Sequence, residues 1–171
     1  MEGLIISTAC LGGIYSNRIL RGEVHGHSRD QIQAELSNLT DRFVSCVGEN
    51  NFKLELQFNK LEKQHTVNDY LIEHHKLTGI PLICTADSHY PTPNAWKDRE
   101  LYKRLGWLGK GKPEWLDMNL PTSVQEMDYE LYPKNGDQMW ESALEFDKSL
   151  NWSGQKPKAL FAKLDLDEIL K

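Results

Sequence analysis

The chain has 171 residues, of which 39% are hydrophobic and 26% are charged, a composition typical of a globular domain with a real core. No apolar run is long enough to span a membrane, and the apolar start at residues 4–6 lacks the basic flank of a signal peptide. We therefore expect a cytoplasmic protein without membrane contact. The formal net charge of -5 argues against a protein that grips nucleic acid over most of its surface.

Two local features refine this picture. The three cysteines, Cys10, Cys46 and Cys84, are widely spaced and odd in number, which favours reduced thiols over a disulfide framework. A basic cluster interrupts the acidic chain, and it predicts either a solvated helix face or a nucleic-acid contact. Its members are Lys97, Arg99, Lys103, Arg104, Lys110 and Lys112.

Three segments are predicted to be β-strands. Residues 3–8 and 80–85 are continuously apolar in their middle, which is typical of strands buried on both faces of a parallel sheet. Residues 51–58 alternate, with Phe52, Leu54, Leu56 and Phe58 on one face. Glu55 and Gln57 then lie on the other face, where the pattern leaves open whether they face a site or a helix.

Helical patterns lie between and after these strands. We expect one helix to begin after an N-cap at Ser28, and a second to begin at Thr66 and to end at Gly79. Their apolar faces are predicted from the spacing of Ile32, Leu36, Leu39 and Phe43 and of Val67, Tyr70, Leu71, His74 and Leu77. Later helices are expected over residues 96–105 and 137–150, with a helix start at residues 121–127.

The order strand, helix, strand, helix, strand indicates an α/β fold with a parallel sheet. We expect βα units over residues 1–92, a helical continuation over residues 93–150, and a tail over residues 151–171. The tail has no convincing core of its own.

Ligands of parallel α/β sheets bind beyond the carboxyl ends of the strands. The first predicted strand leads to Cys10, and the third leads to Asp87 and His89. Thiolate, carboxylate and imidazole are the side chains that bind zinc-like cations, and residues two apart in an extended segment point to the same side. Spacing alone is weak support for a metal site, because Asp-x-His is common and a cysteine at a strand end usually packs.

Three stretches resemble the PHP (polymerase and histidinol phosphatase) domain of bacterial DNA polymerase III alpha subunits, in the same order. They are EGLIISTACLGG at residues 2–13, FKLELQ at residues 52–57 and GIPLICTADSHY at residues 79–90. Val67-Asn68 is also similar, and the likeness extends over roughly residues 1 to 150. It implies a partial distorted βα barrel with a helical C-terminal extension. It also implies that Cys10, Asp87 and His89 are ligands in a multi-metal cluster.

Other ligands of that family come from an earlier His-x-His strand and neighbouring positions, which this sequence lacks. His25-Gly26-His27 follows the Cys10 strand and is predicted to be an exposed loop. We expect His74 to pack in the core and His65 and His75 to face solvent. The chain thus supplies at most an incomplete cluster for a zinc-like or manganese-like divalent metal, with Glu55 and Gln57 as weak further site candidates.

Three functional hypotheses follow. The first is the PHP portion of a replicative polymerase alpha subunit, which would contact the remainder of that subunit or replisome proteins, and DNA only indirectly. It would have a structural role or a metal-dependent, proofreading-type phosphoester chemistry, and no polymerase activity of its own. The alternatives are a free-standing metal-dependent phosphoesterase and a non-catalytic interaction module. Exposed tryptophans among Trp107, Trp115, Trp140 and Trp152 would favour self-association as a homo-oligomer or partner binding.

Overall fold

The computed structural model describes residues 3–59, 61–110 and 131–146. In chain order these residues form β1 (Ile6–Ser7), α1 (Ile14–Val24), α2 (Arg29–Val47), β2 (Phe52–Gln57), α3 (Glu62–Thr78), β3 (Leu82–Thr85), α4 (Trp96–Gly109) and α5 (Gly136–Phe146). No helix in these ranges has both the length and the apolar character needed to cross a membrane.

The three strands form one parallel sheet in the order β1-β2-β3. Ile6 pairs with Phe52 at one edge, and Leu54 to Gln57 pair with Leu82 to Thr85 at the other. The parallel sheet and the α/β class are therefore confirmed. The barrel implied by the family resemblance extends beyond these described strands and stays a prediction.

The apolar face of β2 is the centre of the core. Phe52, Leu54 and Leu56 have no exposed surface, as their alternation predicts. Helices α2 and α3 contact β2, and α1 contacts both of them, so three helices cover this face. The rings of Phe43 and Phe52 stack at 5.2 Å between centroids, which locks α2 against the sheet.

Helix α1 was not predicted. Its buried positions are few, with Tyr15 and Ile19 one turn apart and fully buried among mostly polar neighbours. Gly22 completes the buried face because a Cβ there would lie 2.6 Å from Cγ1 of Ile32. In the sequence this helix is marked only by two apolar residues one turn apart and by a glycine. Such a pattern is too short to predict a helix.

The predicted helix ends are partly confirmed. Ser28 caps α2 in a full capping box with Gln31, and Gly79 ends α3 with a left-handed φ of 75°. The start of α3 at Thr66 was wrong, because the helix begins at Glu62 and the Thr66 hydroxyl donates back to the Glu62 carbonyl at 3.2 Å. Leu77 was wrongly placed on the buried face, since it is 64% exposed.

The later helices differ slightly in extent. Helix α4 runs beyond the predicted residue 105, and α5 begins at Gly136, one residue early. Trp140 is half-buried against the core. The predicted helix start at 121–127, residues 147–171, Trp115, Trp152 and the side chain of Trp107 lie outside the described structure.

Candidate functional site

An open cleft of about 210 Å³ lies at the carboxyl ends of the three strands. Cys10, Asp87 and His89, predicted to lie at this end of the sheet, all line it. The remaining lining residues are Leu11, Gln57, Asn59, Leu61, Gln64, Arg99 and Leu131. The structure thus brings the three predicted residues to one cleft, and their role as a site stays a prediction.

The Cys10 side of the cleft is a tight turn between β1 and α1. The carbonyl of Cys10 accepts from the Gly13 amide at 2.8 Å and from the Ser16 hydroxyl at 3.0 Å, which fixes the turn to the helix. A Cβ on Gly13 would lie 2.4 Å from the Thr8 carbonyl, so only glycine fits there. Ala9 has a left-handed φ of 62°, an unfavourable conformation for alanine.

The β3 side of the cleft is shaped by another left-handed residue, Asp87, with φ of 48°. His89 Nδ1 lies 2.5 Å from the Asp87 carbonyl, so this nitrogen carries the proton and Nε2 is the acceptor in the neutral ring. Metal-binding histidines commonly have one nitrogen oriented in this way. The amide of His89 also donates to the Leu131 carbonyl at 2.7 Å, which holds residue 131 at the cleft wall.

Glu55 and Gln57 lie on the polar face of the sheet, so the alternation correctly placed them opposite the core. The Glu55 carboxylate accepts from the hydroxyls of Ser7 and Thr85 and from Nε2 of Gln57, and its amide donates to Thr8 Oγ1 at 2.8 Å. This buried network joins all three strands. Gln57 reaches the cleft, whereas Glu55 does not line it.

Three cleft residues were missed by sequence reasoning. Asn59 lies two residues after the end of β2, and the same strand-end rule would have found it. Gln64 is only 1% exposed, and its Oε1 has no hydrogen-bond partner in the described residues. Arg99 comes from α4 and had been noticed only as part of the basic cluster.

The histidine predictions are mostly confirmed. His25 and His27 are exposed, and His74 is fully buried. The expectation that His65 and His75 face solvent was wrong, because both are half-buried and bond to the carbonyls of Asn59 and Ile80. Both histidines belong to α3, and their hydrogen bonds attach this helix to the loop before it and to the loop after it.

The cleft offers suitable donor atoms for a metal but not a closed set of ligands. Cys10, Asp87 and His89 border the same space, yet no group of three or more such side chains within the described ranges is spaced to hold an ion. Cys84, the other cysteine near the sheet, is no substitute, because burial raises the pKa of its thiol to about 12. The metal role of the three cleft residues stays a prediction.

Comparison with known proteins finds relatives for part of this chain. Part of the chain is similar to DNA polymerase III subunit alpha. The proteins of that name from Borreliella burgdorferi and Mycobacterium tuberculosis are 33% and 31% identical over 89 and 99 residues, or 52% and 58% of this chain. The Mycobacterium leprae protein is 28% identical over 99 residues. No family model matches the chain.

The chain matches only 7% to 8% of the length of these alpha subunits. The similarity thus covers about half of this chain and a small part of each relative. It supports the resemblance to DNA polymerase III alpha subunits, whereas the assignment to their PHP domain stays a prediction.

Proposed function

We propose that this chain acts in DNA replication as a PHP-type domain of a DNA polymerase III alpha subunit. The observation that carries the proposal is the similarity to three such subunits at 28% to 33% identity, together with a polar cleft at the strand ends. Its natural partners are then the remainder of an alpha subunit and other replisome proteins. The free-standing phosphoesterase and the interaction module are not favoured by this similarity.

The proposed chemistry of the cleft is phosphoester hydrolysis with a zinc-like or manganese-like divalent cation. Cys10, Asp87 and His89 are the proposed ligands, and three protein ligands with a bound water are enough for a catalytic zinc site. Such a cation, when bound, supplies Lewis-acid catalysis and a more acidic water. The chain itself orients His89 through the Asp87 carbonyl, and Arg99 supplies positive charge for a phosphoryl group.

Hydrolysis of bis(p-nitrophenyl) phosphate with added Mn²⁺ or Zn²⁺ tests this proposal. In the reaction water adds to phosphorus and p-nitrophenolate leaves, so absorbance reports the rate. We expect Asp87→Asn to lower the rate at least tenfold, because it removes a carboxylate ligand and a negative charge. Asp30→Asn, an exposed position in the first turn of α2, should keep the rate. Equal rates in both variants, or no metal-dependent hydrolysis by the unaltered chain, would contradict the chemistry.

A further inference from the structure

Strand β1 forms one edge of the sheet and has no protection against further pairing. Among the described residues it pairs with β2 alone, and Leu4 and Ile5, which precede it, are 52% and 71% exposed. Exposed strand edges usually have charged side chains, a proline or a bulge that prevents pairing with another chain. Residues 3–17 contain no charged side chain and no proline. The opposite edge differs, because β3 follows Pro81 and all its residues are half-buried.

The hydrogen bonds of β1 show which backbone groups its free edge offers. The Thr8 amide donates to the Lys53 carbonyl at 3.1 Å, so this amide faces β2. Successive residues of a strand direct their amide and carbonyl groups to opposite sides of the strand. The groups of Ile6 therefore face β2 as well, whereas those of Ile5 and Ser7 face away from the sheet. An added strand would pair with Ile5, the more exposed of these two residues.

An antiparallel copy of the same segment matches this edge in one register. If the Ile5 residues of two copies lie opposite each other, they exchange two amide-to-carbonyl hydrogen bonds. Leu4 of each copy then lies opposite Ile6 of the other, on the face where Ile6 packs against the core. Apolar side chains meet at all these positions, and no like charges meet. The segment is thus complementary to itself, which is the requirement for a two-fold interface.

We propose that the β1 edge binds a second copy of this chain, in a two-fold symmetric dimer with antiparallel β1 strands centred on Ile5. The two sheets then form one sheet of six strands, with α1, α2 and α3 of both copies on the same side. The contact is short, so we expect a weak dimer with a dissociation constant on the order of 100 µM. The inference goes beyond the proposed function, because none of residues 4–7 lines the strand-end cleft.

Sedimentation velocity of the full chain in reducing buffer, from about 5 µM to about 500 µM, tests the dimer. We expect the unaltered chain to change from monomer to dimer over this range. Ile5→Lys should stay monomeric throughout, because two ammonium groups would meet at the centre of the interface. Val24→Lys changes another exposed apolar residue, at the end of α1, and should dimerise as the unaltered chain does. Circular dichroism of both variants verifies that they are folded.

A cysteine at position 5 tests the register itself. The Cα atoms of a hydrogen-bonded antiparallel pair are about 5.5 Å apart, within the range that a disulfide spans. We expect Ile5→Cys, made together with Cys46→Ala to remove the exposed thiol, to form a covalent dimer on mild oxidation. Val24→Cys in the same background, and Cys46→Ala alone, should remain monomeric on a non-reducing gel.

Three results would overturn the inference. A chain that is still monomeric at the highest concentration has no such interface, and a dimer that persists in Ile5→Lys is formed by another surface. Species that keep growing beyond the dimer would indicate that β1 of one copy pairs with β3 of the next, since such a head-to-tail contact does not close.

Discussion

Both ring nitrogens of the buried His74 have a hydrogen-bond partner in the core. Nδ1 lies 3.0 Å from Gln33 Oε1, and Nε2 lies 2.8 Å from Thr40 Oγ1. Because Gln33 Nε2 donates to the Tyr70 carbonyl at 3.0 Å, its Oε1 is an acceptor and Nδ1 must donate. In the neutral ring Nε2 is then an acceptor, and it faces the Thr40 hydroxyl, which also lies 3.0 Å from the Leu36 carbonyl.

We predict that the chain loses stability as the pH falls below about 6.5. Burial lowers the pKa of His74 from its usual 6.5, and the nearby Asp41 opposes this only in part. The unfolded chain therefore takes up a proton that the folded chain resists, which lowers the free energy of unfolding by up to about 1.4 kcal/mol per pH unit. Above 6.5 both states are neutral and the effect disappears.

Urea unfolding at several pH values on both sides of 6.5 measures this effect. His74→Gln should flatten the dependence below 6.5, whereas His25→Gln, in an exposed loop, should retain it. The same pH dependence in all three proteins would show that His74 is not responsible.

Helices α2 and α3 are joined at their outer side by Arg29. Its guanidinium donates to Glu73 and, at 2.7 Å, to Asp69, and its Cζ lies 4.3 Å from the centre of the Tyr70 ring. The Tyr70 hydroxyl in turn donates to Glu23 of α1. Arg29, the first residue of α2, and Tyr70 of α3 thus together connect three helices.

We expect Arg29→Ala to lower the free energy of unfolding by about 1–2 kcal/mol, since it removes two partly exposed ion pairs and a cation–π contact. Arg18→Ala, which removes a single longer pair with Glu35 at 3.6 Å, should cost less than about 0.5 kcal/mol. Urea unfolding at low and high salt measures both. Equal losses in the two variants would show that the Arg29 contacts add no more stability than the single Arg18–Glu35 pair.

The elements differ in how well the sequence predicted them. β2 was unambiguous because it alternates, and each face has a distinct environment. β1 is shorter than its apolar sequence suggested, because its partner β2 begins at Phe52, opposite Ile6, and leaves Leu4 and Ile5 without pairing and 52% and 71% exposed. Strand length here depends on the neighbouring strand, which a local pattern does not contain.

For the whole molecule, the sequence predicted only those cleft residues that follow the ends of strands. Cys10, Asp87 and His89 follow strand ends, and a parallel sheet brings such ends to one edge. Arg99 and Gln64 come from helices, and their approach to the cleft depends on how α3 and α4 pack. Packing of this kind depends on distant contacts, such as that of Trp96 with Leu131, which sequence spacing does not reveal.

The metal content of the purified chain tests the central claim most directly. Elemental analysis after dialysis against Zn²⁺ or Mn²⁺ should find at least about one equivalent in the unaltered chain. We expect it to be lost in Cys10→Ala/His89→Ala and retained in Cys46→Ala/His25→Ala, which removes an exposed thiol and an exposed imidazole. Absence of metal in the unaltered chain, or equal metal in both double variants, would contradict a metal site in this cleft.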